Sequence, residues 1–291
     1  MGRIAIIKVE GDDVYGAVEE AVKLLDGFKI RRGARAVIKP NICYPKNPYG
    51  MVITDFRVIE AVIRLLQDET DDIVVVESDN ISGTAESRAE KSGLLDLLRR
   101  LDVEFINLSE DDGETHRIGE VEIRLPKTVL EADYFINLPK MKTSGPTLVT
   151  LSIKNLFGLP MRRDKKKLHP YLNEILPYLA KVIRHDLIIL DAITAMEGNG
   201  PVIGTPKEMG LIIAGRNPVE VDAISTSIMG IDPMEVEHLR RAYELGVGEI
   251  DVEKLDVAGE DWRCFITPFE RPYSFKASVR SIKSILRTLL G

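Results

Sequence analysis

The chain has 291 residues, of which 44% are hydrophobic and 29% charged, with a formal net charge of −7. That length and balance suit one large folded α/β domain, or a domain plus a lobe, and exclude a disordered or fibrous chain. The acidic balance argues against general nucleic-acid binding, no apolar run reaches the 18 or so residues of a membrane span, and the two cysteines, Cys43 and Cys264, form no C-x-x-C run that would hold an iron–sulfur cluster.

The opening residues, Met1 to Glu10, are too short and wrongly charged for a signal peptide, and so few cysteines fit a reducing cytoplasm. Arg3 to Val9 reads as a strand and Val14 to Leu25 as an amphipathic helix with Val14, Val18, Val22 and Leu25 on one face. Gly33 introduces the apolar run Ala34 to Ile38, which ends in Lys39-Pro40-Asn41; residues 42–53 form a loop, and Thr54 and Asp55 are cap candidates for a helix from Val58 to Leu66. Gln67 is the sole glutamine in a charge-rich chain, which leans towards a heat-adapted source. Ile73 to Val76 has the β-branched run of a strand buried on both faces and ends in Glu77-Ser78-Asp79-Asn80. A helix from Glu86 to Leu98 and a strand from Val103 to Ile106 follow, then the acidic loop Glu110 to Glu114. Thr115 to Leu125 alternates as a hairpin does and is a candidate antiparallel edge.

The stretch from Asp133 to Leu159 organises the rest. Tyr134 to Leu138 is of buried-strand type, Pro139 stops it, and Lys140 and Lys142 follow. Ser144 and Pro146 carry a helix-start signal, Leu148, Leu151 and Leu156 form a stripe, and Gly158 ends it. Strand, cationic turn and helix N-terminus together favour a bound phosphate or carboxylate; the competing reading is a βα turn kept soluble by its lysines. The basic run Arg162 to Lys167 reads as a solvated face, with His169 joining an anion site only if that loop folds over the cleft. Tyr171 to Ile183 is a helix kinked by Pro177, Leu187 to Leu190 a strand ending in Asp191, residues 197–206 a Gly/Pro-rich loop, and Met209 to Ala214 a strand. Helices start at Asn217-Pro218 and Asp232-Pro233, and Leu255 to Ala258 is a last strand. The tail, residues 274–290, is a basic amphipathic helix whose stripe needs a cover: the body, a second copy in a homodimer, or an anionic membrane surface.

Strands alternating with helices predict a doubly wound, mostly parallel sheet with helices on both faces, as one domain over residues 1–291, with halves at 1–160 and 170–260 if the loop at 159–170 divides it. Ligands of such sheets bind at the strand carboxyl ends. Four strands end there in polar residues: Lys39 and Asn41; Glu77, Asp79 and Asn80; Lys140 and Lys142; Asp191 with Glu197 and Asn199 beyond. Lys39, Asn41, Lys140, Lys142, Ser144, Asn155 and Asn199 are therefore the candidate ligand-binding residues. Lys154, out of place in an apolar helix, is the candidate general acid or base if burial lowers its pKa. Asp79, Asp191 and Glu197 offer oxygen ligands suited to Mg²⁺.

Ile-Lys-Pro-Asn at 38–41, Leu-Pro-Lys-Met-Lys at 138–142, Ser-Ile-Lys-Asn-Leu-Phe-Gly at 152–158, Met-Glu-Gly-Asn-Gly-Pro at 196–201, Asn-Pro-Val-Glu-Val-Asp-Ala at 217–223 and Ile-Met-Gly-Ile-Asp-Pro at 228–233 form a specific set. Over about residues 4–260 the chain resembles the family catalogued as domain of unknown function 362. Many members of that family look like redox-associated proteins with a ferredoxin-type cysteine cluster near one end, and this sequence departs from them in lacking those cysteines. The residues imply a lysine-rich cleft that takes a small anionic substrate or cofactor, and the resemblance implies little about the reaction. The alternative is a non-catalytic binding or assembly module for a separate iron–sulfur or redox protein.

Overall fold

A computed structural model describes residues 2–162 and 164–273; the tail helix expected at 274–290 lies outside the described residues. In chain order the elements are β1 (Arg3–Lys8), α1 (Val14–Leu24), β2 (Ala36–Pro40), α2 (Phe56–Gln67), β3 (Ile73–Glu77), α3 (Ala85–Ser92), α4 (Leu94–Leu101) and β4 (Glu104–Asn107). Then come β5 (Gly113–Ile118), β6 (Val121–Pro126), the single turn α5 (Lys127–Leu130), β7 (Tyr134–Leu138), β8 (Lys140–Ser144), β9 (Leu148–Thr150) and α6 (Ser152–Asn155). The chain continues through α7 (Leu172–Val182), β10 (Leu187–Glu197), β11 (Thr205–Gly215), α8 (Pro218–Ile228), α9 (Glu237–Glu244) and β12 (Asp256–Gly259).

One sheet runs β12-β1-β11-β10-β7-β2-β3-β4. From β10 through β7, β2 and β3 to β4 every pairing is parallel, so these strands present their carboxyl ends along one edge. β11 is antiparallel to both its neighbours, β1 and β10. Because side chains alternate across a strand, each strand feeds two cores. Val37, Val74 and Phe135 face a core with α6 to α9, while Ile38, Val75, Tyr134 and Ile136 face the other with α1, α2 and α4. Helices thus cover both faces, as the alternation of strand and helix predicts.

Local chemistry explains most boundaries. Asp55 caps α2 by accepting from the Arg57 amide, and Asn217 caps α8 by accepting from Val219 and Glu220, with Pro218 in the first turn. The helix expected over Glu86 to Leu98 divides at Gly93, whose φ of 88° a side chain resists. The Thr115–Leu125 hairpin forms as β5 and β6 but is a two-stranded sheet of its own rather than an edge of the main one, because Val121, Ile123 and Leu125 face inwards onto the α7 core.

The largest departure is at residues 140–150. Here there is no helix start at Ser144 and Pro146: β8 and β9 form a hairpin, and the helix begins only at Ser152. Long-range pairing overrides the local signal. β8 lies parallel to β10, whose ladder runs on to Glu197, well past the expected end at Leu190. Met141 enters one core while Lys140 and Lys142, two residues apart, point to the opposite face.

Candidate functional site

At the carboxyl edge, β2 and β3 are adjacent, which sets Lys39 beside Glu77. Lys39 Nζ donates to Glu77 Oε2 at 3.1 Å and to the Pro40 carbonyl at 3.1 Å, and both side chains are buried. Burial pushes the Lys39 ammonium down from its usual range against the pull of Glu77. Burial alone would raise Glu77, but Lys39, Arg88, Lys165 and the Ser78 amide outweigh it and hold the carboxyl low. Gly158 covers this pair so closely that a Cβ would lie 2.5 Å from Lys39 Nζ and 2.7 Å from a Glu77 oxygen. Arg88 from α3 is fully buried and spends its guanidinium on the carbonyls of Ile42, Gly83 and Ser78.

A relay of amides joins the neighbouring elements. Asn41 Nδ2 donates to Asn155 Oδ1 at 2.9 Å, Asn155 Nδ2 to Asn137 Oδ1 at 2.7 Å, and Asn137 Nδ2 to the Ser152 carbonyl at 3.0 Å. From β8, Lys142 Nζ donates to the Val52 carbonyl at 2.7 Å and to Asn41 Oδ1 at 3.0 Å, and lies 3.5 Å from Cys43 Sγ. Burial lowers its pKa, opposed chiefly by Cys43.

The short helix α6 is held at its start by Asp222 of α8, which accepts from the Ser152 amide at 2.7 Å, the Ile153 amide at 2.9 Å and the Ser152 hydroxyl. Burial pushes Asp222 up to about 7 against the pull of these donors. This clamp presents Lys154 and Asn155 to the edge. Lys154 is half-buried, with Nζ 4.3 Å from the centre of the Phe157 ring and no hydrogen bond to any described residue. Burial, then the charge of Lys142, lowers it to about 8. The segment Lys165–Tyr171 folds across the opening as a 3₁₀ turn. Lys165 Nζ donates to Ser78 Oγ and, at 2.9 Å, to the Gly158 carbonyl; burial lowers it to about 7. His169 rests against the Phe157 ring, and burial, Lys154 and Lys166 lower its pKa.

These groups enclose a cavity of about 220 Å³. Its lining includes Lys39, Lys142, Lys154, Lys165 and Lys166, with Glu77 as the one carboxylate among the described residues, together with Asn41, Asn155, Cys43 and His169. The sequence-level candidates Lys39, Asn41, Lys142, Lys154 and Asn155 thus come together. Lys165 and Glu77 were not among them. Lys165 sits in a basic run whose composition is that of a solvated face, and Glu77 carried a signal only in its place at a strand end.

The other candidates sit elsewhere. Lys140 is fully buried against Asp191, Nζ to Oδ2 2.7 Å, and does not line the cavity. Asp191 also accepts from the amides of Asp55 and Ile193, so its oxygens are occupied by the fold. Ser144 accepts from the Thr147 hydroxyl inside the β8–β9 hairpin, and Asn199 accepts from the Tyr273 amide. Asp79 accepts from the Ala85 amide at the start of α3 and from Asn107; Glu197 accepts from Lys207 and the Glu270 amide. Asp191 and Glu197 are six residues apart on one strand, on the order of 20 Å. Asp79, Asp191 and Glu197 therefore form no common oxygen cage, and no cluster of three or more His, Cys, Asp or Glu with metal-holding geometry occurs among the described residues.

A family profile for a domain of unknown function (DUF362) matches residues 36–227. The chain belongs to the DUF362 family. Every cavity-lining residue named above falls within the span that defines DUF362 here. The chain is 32% identical over 234 residues to Thylakoid-associated protein sll1697 of Synechocystis sp., covering 78% of this chain and 73% of that relative. A crystal structure of a Thermotoga maritima protein is similar at a TM-score of 0.38 and 15% identity, over 87% of this chain and 62% of that one. No helix among the described residues of this DUF362 chain is long and apolar enough to cross a membrane.

Proposed function

We propose that the cleft binds a small anionic molecule bearing a phosphate or a carboxylate. The observation that carries this reading is the charge balance of the cavity: among the described residues, five lysines against the single carboxylate of Glu77. Like charges held together at low dielectric raise the free energy of the empty site, and a bound anion relieves them. The depressed pKa values of Lys154 and Lys165 express the same strain, burial first and neighbouring cations after it. A volume of about 220 Å³ lies below the roughly 300–1,000 Å³ of sites for drug-sized ligands, which favours a small metabolite.

The test is a thermal-unfolding titration with sulfate, phosphate, pyrophosphate and small carboxylates. A ligand at a hundredfold excess over its Kd stabilises the fold by about 2.7 kcal/mol. Replacing Lys154 by Gln weakens the best anion by about 1.5–3 kcal/mol, the range for hydrogen bonds to charged groups. If no anion raises the midpoint of the wild-type protein, the reading is wrong.

A further inference from the structure

Four of the five lysines in the cleft belong to the fold or to the rim. Lys39 is tied to Glu77 and Pro40, Lys142 to Val52 and Asn41, Lys165 to Ser78 and Gly158, and Lys166 is exposed. Lys154 differs from all of them. It lines the cavity and its Nζ has no hydrogen-bond acceptor among the described residues. It is also held rigidly, because Asp222 clamps the two residues before it and Asn155, the residue after it, is locked into the amide relay. A buried or half-buried cation is ordinarily paired. An amine that rests on the Phe157 ring but has no hydrogen-bond acceptor, on a fixed backbone, flanked by other cations and facing a cavity, is the arrangement that activates a lysine as a nucleophile towards carbonyl compounds.

We infer that Lys154 forms an imine with a small aldehyde or ketone that carries a phosphate or carboxylate. This rests on the anion-binding reading, which supplies the charged end, and adds the carbonyl at the other. The neutral Nζ lone pair attacks the carbonyl carbon as the C=O π pair moves to oxygen, giving a carbinolamine. The two amine protons then leave with that oxygen as one molecule of water, and the C=N bond remains. No oxidant or reductant is consumed. The other titratable groups facing Lys154 across the cleft are Lys39, Lys142, Lys165, Lys166, His169, Glu77 and Cys43. His238 of α9, in the core behind Lys154, has no partner for either ring nitrogen among the described residues and is held neutral by burial and then by the charge of Lys154. The preponderance of cations among these groups favours the free amine. At pH 7.5, a lysine lowered to about 8 carries on the order of a hundredfold more free amine than an exposed one.

The experiment incubates the full chain at pH 7.5 with glyoxylate, glycolaldehyde phosphate or uncharged glycolaldehyde in the presence of sodium cyanoborohydride, which reduces an imine to a stable secondary amine. Intact-mass and peptide mapping then locate the label. The expected result is one adduct, on Lys154, forming more than tenfold faster than on exposed Lys91 and faster with the anionic aldehydes than with glycolaldehyde. The arm that reacts faster, carboxylate or phosphate, identifies the charged group. Lys154→Arg keeps the positive charge without a condensable amine and loses the fast adduct, while Lys91→Arg labels like wild type. Labelling spread over surface lysines, or fast labelling of Lys165 in place of Lys154, overturns the inference even if sulfate still raises the thermal midpoint. Fast labelling of Lys154 that is indifferent to the charge of the aldehyde upholds the imine and removes the anion-binding reading instead.

Discussion

At the scale of single residues, the Lys39–Glu77 pair shows how the cleft trades stability for charge. Both side chains are almost wholly buried, at 1% and 6% exposure, and Glu77 is the carboxylate that faces Lys39, Arg88 and Lys165. Glu77→Gln leaves those cations uncompensated and should cost about 3–5 kcal/mol, the usual loss when one partner of a buried pair is removed. Urea unfolding measures it. The same substitution makes the cavity more positive, so sulfate should stabilise the variant more than it stabilises wild type. A lower midpoint with a larger sulfate increment is the expected signature, and equal increments would argue that Glu77 is electrically remote from the ligand.

At the scale of elements, α6 is too short to stand alone, at four residues, and its position depends on Asp222. Asp222→Ala strands two buried amides, each costing about 1–3 kcal/mol, leaves the Ser152 hydroxyl the Pro218 carbonyl alone, and should also lose the anion-dependent rise in midpoint because Lys154 and Asn155 ride on α6. Asp222→Asn keeps an acceptor and should lose less of both. Calorimetric unfolding of the two variants with and without sulfate separates the effects. This clamp was not legible in the sequence: Asp222 lies 70 residues from Ser152 and carries no local signal. The same holds for the β8–β9 hairpin. Ser144 and Pro146 match a helix start in isolation, and only the ladder to β10, some fifty residues on, shows that the chain is extended there. What was legible was what a strand or helix states by itself. The β-branched run Ile73 to Val76, the Asn217-Pro218 start of α8, and the polar ending Lys39-Pro40-Asn41 placed the sheet and the edge at which the cavity lies. The place of Asp191 was illegible for a related reason. Asp191 reads as a strand end from its neighbours, yet it lies mid-strand, where its charge serves Lys140.

At the scale of the whole molecule, the strained lysines give the protein a characteristic response to pH. Lys154 and Lys165 titrate near 8 and 7 when folded, against an ordinary 10.5. Between about pH 7 and 10.5 the unfolded chain therefore holds protons that the folded chain has released, so these two groups make stability rise with pH across that window; below pH 7 their cost is fully present. On the proposed reading, a bound anion restores the charged forms. Sulfate, which does not itself titrate here, should take up protons as it binds near pH 8.5 and bind more weakly as pH rises. Calorimetric titration in two buffers of different ionisation enthalpy measures the uptake, and a binding enthalpy independent of buffer would contradict it. The order of the strands has a further consequence, for the sequence of events in folding. β2, β3 and β7, which set the cleft edge, find one another within roughly the first half of the chain, whereas β1 pairs with residues 211–214 on one side and 256–259 on the other. At roughly 5–20 residues per second of synthesis, β1 waits on the order of ten to fifty seconds with both edges bare. Closing loops of that length is slow in refolding as well. Pulse-labelled hydrogen exchange should find the β1 amides protected together with those of β11 and β12, after β2, β3 and β7, so that a strand made before them is placed after them.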